Sequence, residues 1–178
     1  TNAHFLAKDG TQINKIIFEN ANAEAYMSST GTYSQGITID SLTFVKRGAS
    51  IAESMTIGTL SVAPSMAYTI SNGKTITLTN DLVDTTPDCE TFWQLTGGTS
   101  ASNVRATLNN NTGHSIALDN VQVTRITGAG ANAISATGID NGGNTGITFT
   151  APAPKTVYWV GHAGDDQWHT LQNWARTS

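Results

Sequence analysis

The sequence has little charge, few prolines and a single cysteine among its 178 residues. Charged residues make up 12% of the chain, about half the usual share. Coiled coils and helical bundles need surfaces rich in Glu, Lys and Arg, so the low charge argues against both. Disordered chains usually carry a high net charge, whereas the net charge here is −4. We therefore expect one folded, non-helical domain, or one domain with a fragment of a second.

Several classes of function are also disfavoured by what is scarce. The nine Lys and Arg residues are scattered, so no basic stripe is available to follow a phosphate backbone, and nucleic-acid binding is not expected. No stretch approaches the roughly 18 consecutive apolar residues of a membrane-spanning helix, so no membrane insertion is expected. Cys89 has no second cysteine to pair with, and the carboxylates of Asp88 and Glu90 disfavour a reactive thiolate. We expect it to be a small buried apolar residue.

Thr, Gly, Asn and Ser are abundant, with 28, 17, 15 and 14 copies. Short runs in which apolar residues alternate with Thr predict half-buried strands, separated by turn pairs such as Asn72-Gly73 and Gly97-Gly98. The runs are residues 15–18, 37–39, 42–45, 55–62, 68–70, 75–78, 92–95, 104–108, 115–118, 121–126 and 146–149. The one candidate for a helix, residues 20–28, is short and rich in Asn.

Two all-β architectures fit this pattern. Most strand centres lie roughly 12 to 19 residues apart, somewhat longer than the spacing of a hairpin-linked antiparallel β-sandwich. We therefore predict a parallel β-solenoid, with the sandwich as the alternative. Runs such as Asn109-Asn110-Asn111 suit its corners, and Trp93 is expected in the core or closing one end. The residues predicted to lie inside are Ile39, Leu42, Phe44, Ile57, Leu60, Ile76, Leu78, Val104, Ala106, Val121 and Val123.

The C-terminal part of the chain has a different composition. Residues 151–155 begin with Ala-Pro-Ala-Pro, which predicts a short extended spacer between a body, residues 1–150, and a tail, residues 156–178. Three of the four tryptophans lie in the tail, as Trp159, Trp168 and Trp174. They are candidates for ligand or junction contacts: a sugar-stacking platform or, as we favour, a small hydrophobic cluster.

The tail resembles a motif of large secreted surface proteins of Bacteroidetes, which include gliding-motility adhesins and other cargo of the type IX secretion system. The matching residues are Tyr158, Trp159, Val160, Gly161, Gly164, Trp168, Asn173 and Trp174. His162 replaces a Gly of the motif, and Asp165-Asp166 lengthens its turn. Residues 37–44 resemble an early strand of that family, and residues 141–149 resemble its closing phrase.

The resemblance implies a particular domain organisation and location. In that family the motif opens a module, so residues 1–150 would form most of one β-solenoid module and residues 156–178 the start of the next. The chain would then be extracellular, at the cell surface, with neighbouring modules as its partners. A polysaccharide or another surface ligand would be a further partner.

Catalytic and metal-binding patterns are weak. Asp119 with Asp140, or Arg105 with Arg125, would have to converge from neighbouring coils to form an active site, and their spacing does not show that they do. His162, Asp165, Asp166 and His169 match no zinc signature. Asp165-Asp166 could contribute oxygen ligands to Ca²⁺, which is the one alternative to a metal-free chain, but the pair lacks the ligand spacing of an EF-hand loop. We expect no cofactor, no metal and no enzymatic activity.

The sequence therefore predicts a non-enzymatic structural and adhesive module that contributes to surface attachment or gliding motility. The alternative is a carbohydrate-binding or carbohydrate-active β-helix domain. Thr75, Thr77 and Thr79 alternate on one strand, as in the threonine rows of ice-binding solenoids, but the regular repeat that such a function requires is missing from the sequence.

Overall fold

The computed structural model describes residues 3–8, 10–19, 25–30, 36–84, 92–98, 103–151, 158–161, 163–164, 167 and 173–175; for residues 3, 4, 6–8, 25–30, 174 and 175 it describes the backbone alone. Over these residues the protein is all-β and contains no helix. The strands are β1 (Ala3–Lys8), β2 (Gln12–Phe18), β3 (Ala25–Thr30), β4 (Ile37–Phe44), β5 (Ala49–Ile51), β6 (Met55–Val62), β7 (Ala67–Ile70), β8 (Thr75–Asp84), β9 (Trp93–Gly97), β10 (Ala106–Asn110), β11 (Ile116–Thr124), β12 (Ile126–Gly130), β13 (Ile134–Asp140), β14 (Thr148–Thr150), β15 (Tyr158–Trp159) and β16 (Trp174–Ala175).

The strands form two parallel sheets. The eight-stranded sheet has the order β1-β3-β5-β7-β9-β11-β13-β14, and the six-stranded sheet has the order β12-β10-β8-β6-β4-β2. From β1 to β13 the chain alternates between the sheets, so each circuit of the chain adds one strand to each of them. The expected parallel pairing is confirmed, and the antiparallel sandwich is wrong, because the strand pairs within both sheets are parallel.

The circuits have unequal lengths. On the six-stranded sheet, Ile39 pairs with Ile57 after a short circuit of the chain. The circuit from Leu78 to its partner Asn110 is considerably longer. Parallel pairing requires only that equivalent positions align, so the connections between strands can vary in length without disturbing the sheet. This variation explains why the sequence has no fixed period.

One apolar core lies between the two sheets and contains side chains from both. Ten of the eleven side chains predicted to be inside are buried. Val104 is the exception and is 55% exposed. The predicted strand 104–108 is shifted, because β10 begins at Ala106 and Val104 lies in the corner before it. Its Cγ1 lies beside Gly73, in the corner of the previous circuit on that sheet.

Some strands were not predicted. They are β1, β3, β5 and β13 of the eight-stranded sheet, β12 of the six-stranded sheet beyond its first residue, and β15 and β16 of the tail. The one candidate for a helix, residues 20–28, is not helical where the structure describes it, because residues 25–28 lie in β3. Ladder hydrogen bonds with β1 and β5 outweigh the weak helical preference of so short a segment.

A column of four aromatic rings passes through successive circuits. Phe18 stacks on Phe44 with ring centroids 5.3 Å apart, Phe44 contacts Tyr68 at 5.2 Å, and Tyr68 meets the edge of Trp93 at 6.0 Å. Trp93 is buried, as predicted. The guanidinium of Arg47 lies 5.9 Å from the ring centroid of Phe18, at the end of the column. Aromatic pairs at such distances add to the stabilisation from burial alone.

The Tyr68 hydroxyl links two corners within this column. It accepts a hydrogen bond from the Ala63 N–H at 2.8 Å and donates one to the Arg47 carbonyl at 3.0 Å. Burial raises the pKa of Tyr68 to about 12, while the bond from Ala63 lowers it and the charge of Asp84 raises it to smaller extents. The hydroxyl is therefore structural, because it remains protonated and paired in the folded protein.

Asparagine closes corners, as the Asn runs of the sequence predict. The buried Asn110 amide donates to the carbonyls of His114 and Ala133, at 3.0 and 2.9 Å. Its oxygen accepts from both the N–H and the hydroxyl of Thr112. One side chain thus supplies partners for the backbone of its own corner and of the next circuit, where strand pairing has ended.

Candidate binding surface

The outward face of the six-stranded sheet carries two adjacent rows of hydroxyl and amide side chains, which we name the hydroxyl face. The first row is Thr38, Thr56, Thr77 and Asn109, and the second is Thr75, Thr107, Thr127 and Thr145. Each row crosses neighbouring strands in register. The last step is an isolated parallel bridge between Thr127 and Thr145.

Strand alternation creates this face. On β8, the buried Ile76 separates Thr75 from Thr77, and the buried Leu108 follows Thr107 on β10. Successive side chains of a strand point to opposite sides, so an apolar interior leaves Thr outside. Neighbouring strands lie about 4.8 Å apart, and alternate residues of one strand lie about 6.7 Å apart. The two rows therefore form a grid of polar groups with these spacings.

Neither row of the hydroxyl face contains a charged side chain. Charged residues of the same sheet lie further along the strands, as Lys15 in β2, Asp40 in β4 and Asp81 in β8. The nearest corner carries an ion pair, in which Lys74 Nζ lies 2.6 Å from Glu53 Oε2. Within the rows, the Asn109 amide donates to the Thr77 hydroxyl at 3.3 Å, and the Thr145 and Thr127 hydroxyls lie 3.2 Å apart. A hydroxyl has one donor and two acceptor sites, so these contacts occupy only part of its capacity.

The outward face of the eight-stranded sheet offers a close comparison. Ser50, Thr69, Thr96 and Thr124 form one row there, in register across β5, β7, β9 and β11. The neighbouring row contains Gln94 and Gln122 in place of hydroxyls. This face therefore has one row of hydroxyl side chains where the hydroxyl face has two.

The proposed carboxylate pair does not converge. Asp119 and Asp140 are both exposed on neighbouring strands, but Asp140 pairs with Val123, four positions beyond Asp119. The Asp140 carboxylate accepts hydrogen bonds from the Gly142 N–H at 2.8 Å and the Asn144 amide at 2.6 Å. These bonds identify Asp140 as the cap of a corner.

The two arginines do occupy equivalent positions in neighbouring circuits, since Arg105 and Arg125 directly precede the register partners Ala106 and Ile126. Arg125 Nε donates to the Gly97 carbonyl at 3.4 Å, a structural bond. Within the part of the chain that the structure describes, no group of three or more His, Cys, Asp or Glu side chains is placed to hold a metal ion. His162, Asp165, Asp166 and His169 lie outside the described residues, as do Asp88, Cys89, Glu90 and most of the spacer.

In the tail, β15 and β16 form a small antiparallel pair in which Trp159 lies directly opposite Trp174. The structure thus brings two of the three predicted tryptophans together, and Trp168 lies outside the described residues. Tyr158, Trp159 and Val160 are 41–44% exposed. An aromatic side chain is therefore displayed on this segment.

Asn173 organises the turn of the tail. It is fully buried, and its amide oxygen accepts a hydrogen bond from the Ala163 N–H at 2.8 Å while its nitrogen donates to the Gln167 carbonyl at 3.1 Å. Its backbone carbonyl accepts from the Val160 N–H at 2.7 Å. The sequence motif contains Asn173, and the structure provides its physical role.

An interior cavity of about 20 Å³ lies between the sheets beside Tyr68 and Trp93, and its lining is apolar. A cavity needs a volume of about 10–15 Å³ and polar partners to hold one water molecule. Binding sites for small organic ligands usually have volumes of several hundred Å³. The cavity is therefore a packing defect rather than a ligand site.

Comparison with other proteins provides no identification. No family model, curated protein or solved structure matches the chain. Among the described residues, no helix is long and apolar enough to cross a membrane. The resemblance to Bacteroidetes surface proteins therefore stays a prediction that rests on the quoted residues.

Proposed function

We propose that the protein is a non-enzymatic β-solenoid module of a large secreted cell-surface protein, and that it holds neutral polysaccharide through its hydroxyl face. The observation that carries the proposal is the pair of in-register, uncharged rows that contain Thr77 and Thr107. Surface attachment or gliding motility is the role that the tail resemblance implies. The type IX secretion route and the extracellular location belong to the same proposal.

The chemistry of the rows suits a neutral polymer of hydroxyl groups. Each threonine provides a donor, acceptors and a methyl group, so it can contact both the polar rim and the apolar face of a sugar ring. A single contact of this kind is weak, because the groups exchange hydrogen bonds with water for hydrogen bonds with the ligand. Many copies along one polymer make the attachment strong through effective concentration.

Polysaccharide is favoured over ice as the ligand. The first row is interrupted by Asn109 and continues to Ala129, so threonines do not fill both rows. An ice lattice demands a regular array, whereas a flexible polymer can adjust to an irregular one. The parallel stacking of circuits supports a mechanical role as well, because inter-strand hydrogen bonds follow the long axis and share load along it.

The alternative function is a carbohydrate-binding or carbohydrate-active β-helix domain. Binding through aromatic rings has one observation in its favour, since Trp159 is exposed and lies opposite Trp174 on the tail. Hydrolysis has less support, because the carboxylates of Asp119 and Asp140 are offset along their strands.

Retention on insoluble polysaccharide tests the proposal. Beads that display many copies of the chain are passed over cellulose, chitin and agarose, and the retained fraction is measured. The variant with Thr77→Ala, Thr107→Ala and Thr127→Ala is expected to lose at least tenfold in retention. A matched control carries Thr69→Ala, Thr96→Ala and Thr124→Ala on the opposite face and is expected to behave like the unmodified chain. Equal loss in both variants, or retention by neither chain nor control, contradicts the proposal.

Replacing Trp159 separates the two functions. Trp159→Ser is expected to leave retention unchanged if the hydroxyl face makes the contact. Loss of retention in this variant alone would favour the aromatic binding site instead.

A further inference from the structure

We propose that copies of this module associate head to tail, with the tail of one copy covering the open end of the next. The contact joins an apolar end of the two parallel sheets, formed by β2, to the exposed residues Tyr158, Trp159 and Val160. This inference rests on the proposed function, because it explains how modules in series would form one continuous rod.

The open end carries the side-chain pattern of an inner circuit. Three residues of β2, namely Ile13, Ile16 and Phe18, are in register with Ile39, Leu42 and Phe44 of β4. The β4 residues are 0–2% exposed, while their β2 counterparts are only partly buried against the core. The same apolar row is thus covered on β4 and uncovered on β2, which is the outer strand of its sheet. Covering this apolar surface with another segment is favourable, because it removes the surface from water.

The tail has the opposite requirement, since it needs a surface to pack against. The antiparallel pair formed by β15 and β16 contains four strand residues and belongs to neither parallel sheet. A two-stranded ribbon is marginally stable by itself in water. Its described residues are uncharged, and Tyr158, Trp159 and Val160 each expose apolar surface. Aromatic residues of this type dominate the energetics of protein interfaces.

A tail cannot cover the open end of its own chain. It follows β14, which lies at the edge of the eight-stranded sheet opposite β1. Seven strand spacings of about 4.8 Å place these edges about 34 Å apart. From Thr150, which ends β14, to Tyr158, which begins β15, the chain makes eight residue steps and spans at most about 29 Å when fully extended. The occupant that we infer is the tail of a second copy.

The resulting contact is heterologous, because one copy contributes its open end and the other contributes its tail. Such contacts generate open chains rather than closed dimers when the rotation between copies does not close. The geometry thus gives a linear series of modules with a common axis.

Blocking each patch separately tests this inference. Ile16→Asp blocks the open end, and Trp159→Asp blocks the tail. Sedimentation velocity from micromolar to about 1 mM, the effective concentration of tethered modules, measures association. The unmodified chain is expected to form concentration-dependent oligomers. Each blocked variant is expected to be monomeric alone, and an equimolar mixture of the two is expected to form a 1:1 heterodimer that does not grow further.

Val104→Asp is the matched control, because it adds the same charge at an exposed apolar residue outside both patches, and it should associate normally. If Ile16→Asp does not fold, Ile13→Asp replaces it, since Ile13 belongs to the same apolar row and is only partly buried against the core. A monomeric unmodified chain at 1 mM, or a mixture without heterodimer, overturns the inference. Retention on polysaccharide uses neither patch, so this failure would leave the proposed function standing, and the reverse also holds.

Discussion

The indole Nε1 of the buried Trp93 donates a hydrogen bond to the Asp84 carboxylate at 2.8 Å. The same N–H also lies 2.9 Å from the carbonyl oxygen of Asp119 in the following circuit. Asp84 ends β8 and Trp93 begins β9. The Trp93 side chain therefore links the end of β8 to the start of β9, and it also contacts the next circuit of the chain. Trp93 therefore combines a packing role in the aromatic column with a polar role at a corner.

Trp93→Phe removes this donor and is expected to lower the free energy of unfolding by about 2–4 kcal/mol, because a partly buried hydrogen bond to a carboxylate is lost and ring volume is removed from the core. Urea unfolding measures the change. Asp84→Asn is the control, since it keeps an acceptor oxygen and should cost less, about 1 kcal/mol. An unchanged unfolding midpoint in Trp93→Phe would show that the bond contributes little.

Truncating an inward side chain of β6 is expected to lower the free energy of unfolding much more than truncating an outward one. Ile57 is fully buried between the sheets, and Ile57→Ala should destabilise the fold by about 2–5 kcal/mol through lost burial and a cavity. Thr56 is its outward neighbour on the hydroxyl face, and Thr56→Ala should change stability by no more than about 0.5 kcal/mol. Urea unfolding of both variants compares them, and similar losses would contradict the assignment of faces.

Stability is expected to fall at high pH through Tyr68. The unfolded hydroxyl has a pKa near 10, whereas burial raises the folded pKa to about 12. The folded state therefore keeps a proton that the unfolded state loses, so this stabilisation is complete below about pH 10 and disappears as the pH rises through 12. The loss should amount to about 2–3 kcal/mol. Chemical unfolding from pH 9 to 12 checks it, and Tyr68→Phe should remove this part of the slope. Identical slopes in the two chains would contradict the prediction.

The tail is expected to be dispensable for the stability of the body. A chain that ends at Thr150 should keep its melting temperature, because β15 and β16 form a sheet separate from the two parallel sheets. Thermal unfolding and limited proteolysis of the truncated and full chains measure this. Unfolding or aggregation of the shorter chain would place the tail in the core of the body and move the predicted boundary at residues 151–155.

The all-β class and most of the core could be predicted from sequence alternation, and the parallel pairing from the spacing of the strand centres. On β6, for example, Met55, Ile57, Leu60 and Val62 are buried, and the residues between them are only partly buried. Alternation identifies an inner face locally, without knowledge of which strand lies alongside. The prediction that Val104 lies inside is wrong because β10 begins two residues later, and no local signal in the sequence marks that shift.

The hydroxyl face could not be predicted in the same way. Thr77 and Asn109 become neighbours only after a circuit much longer than the one that joins Thr38 to Thr56. A search for a regular repeat therefore finds none, although the threonines align in space. The row depends on the register between strands, which hydrogen bonding and core packing decide together.

Measuring retention and product release in one sample tests whether the protein binds neutral polysaccharide without hydrolysing it. The full chain is incubated with insoluble cellulose, chitin and agarose, and the bound fraction is measured together with soluble reducing ends over time. We expect a stable bound fraction, with no release of reducing ends above that of the polysaccharide alone. Turnover that Asp119→Asn or Asp140→Asn abolishes would contradict it and identify an enzyme instead.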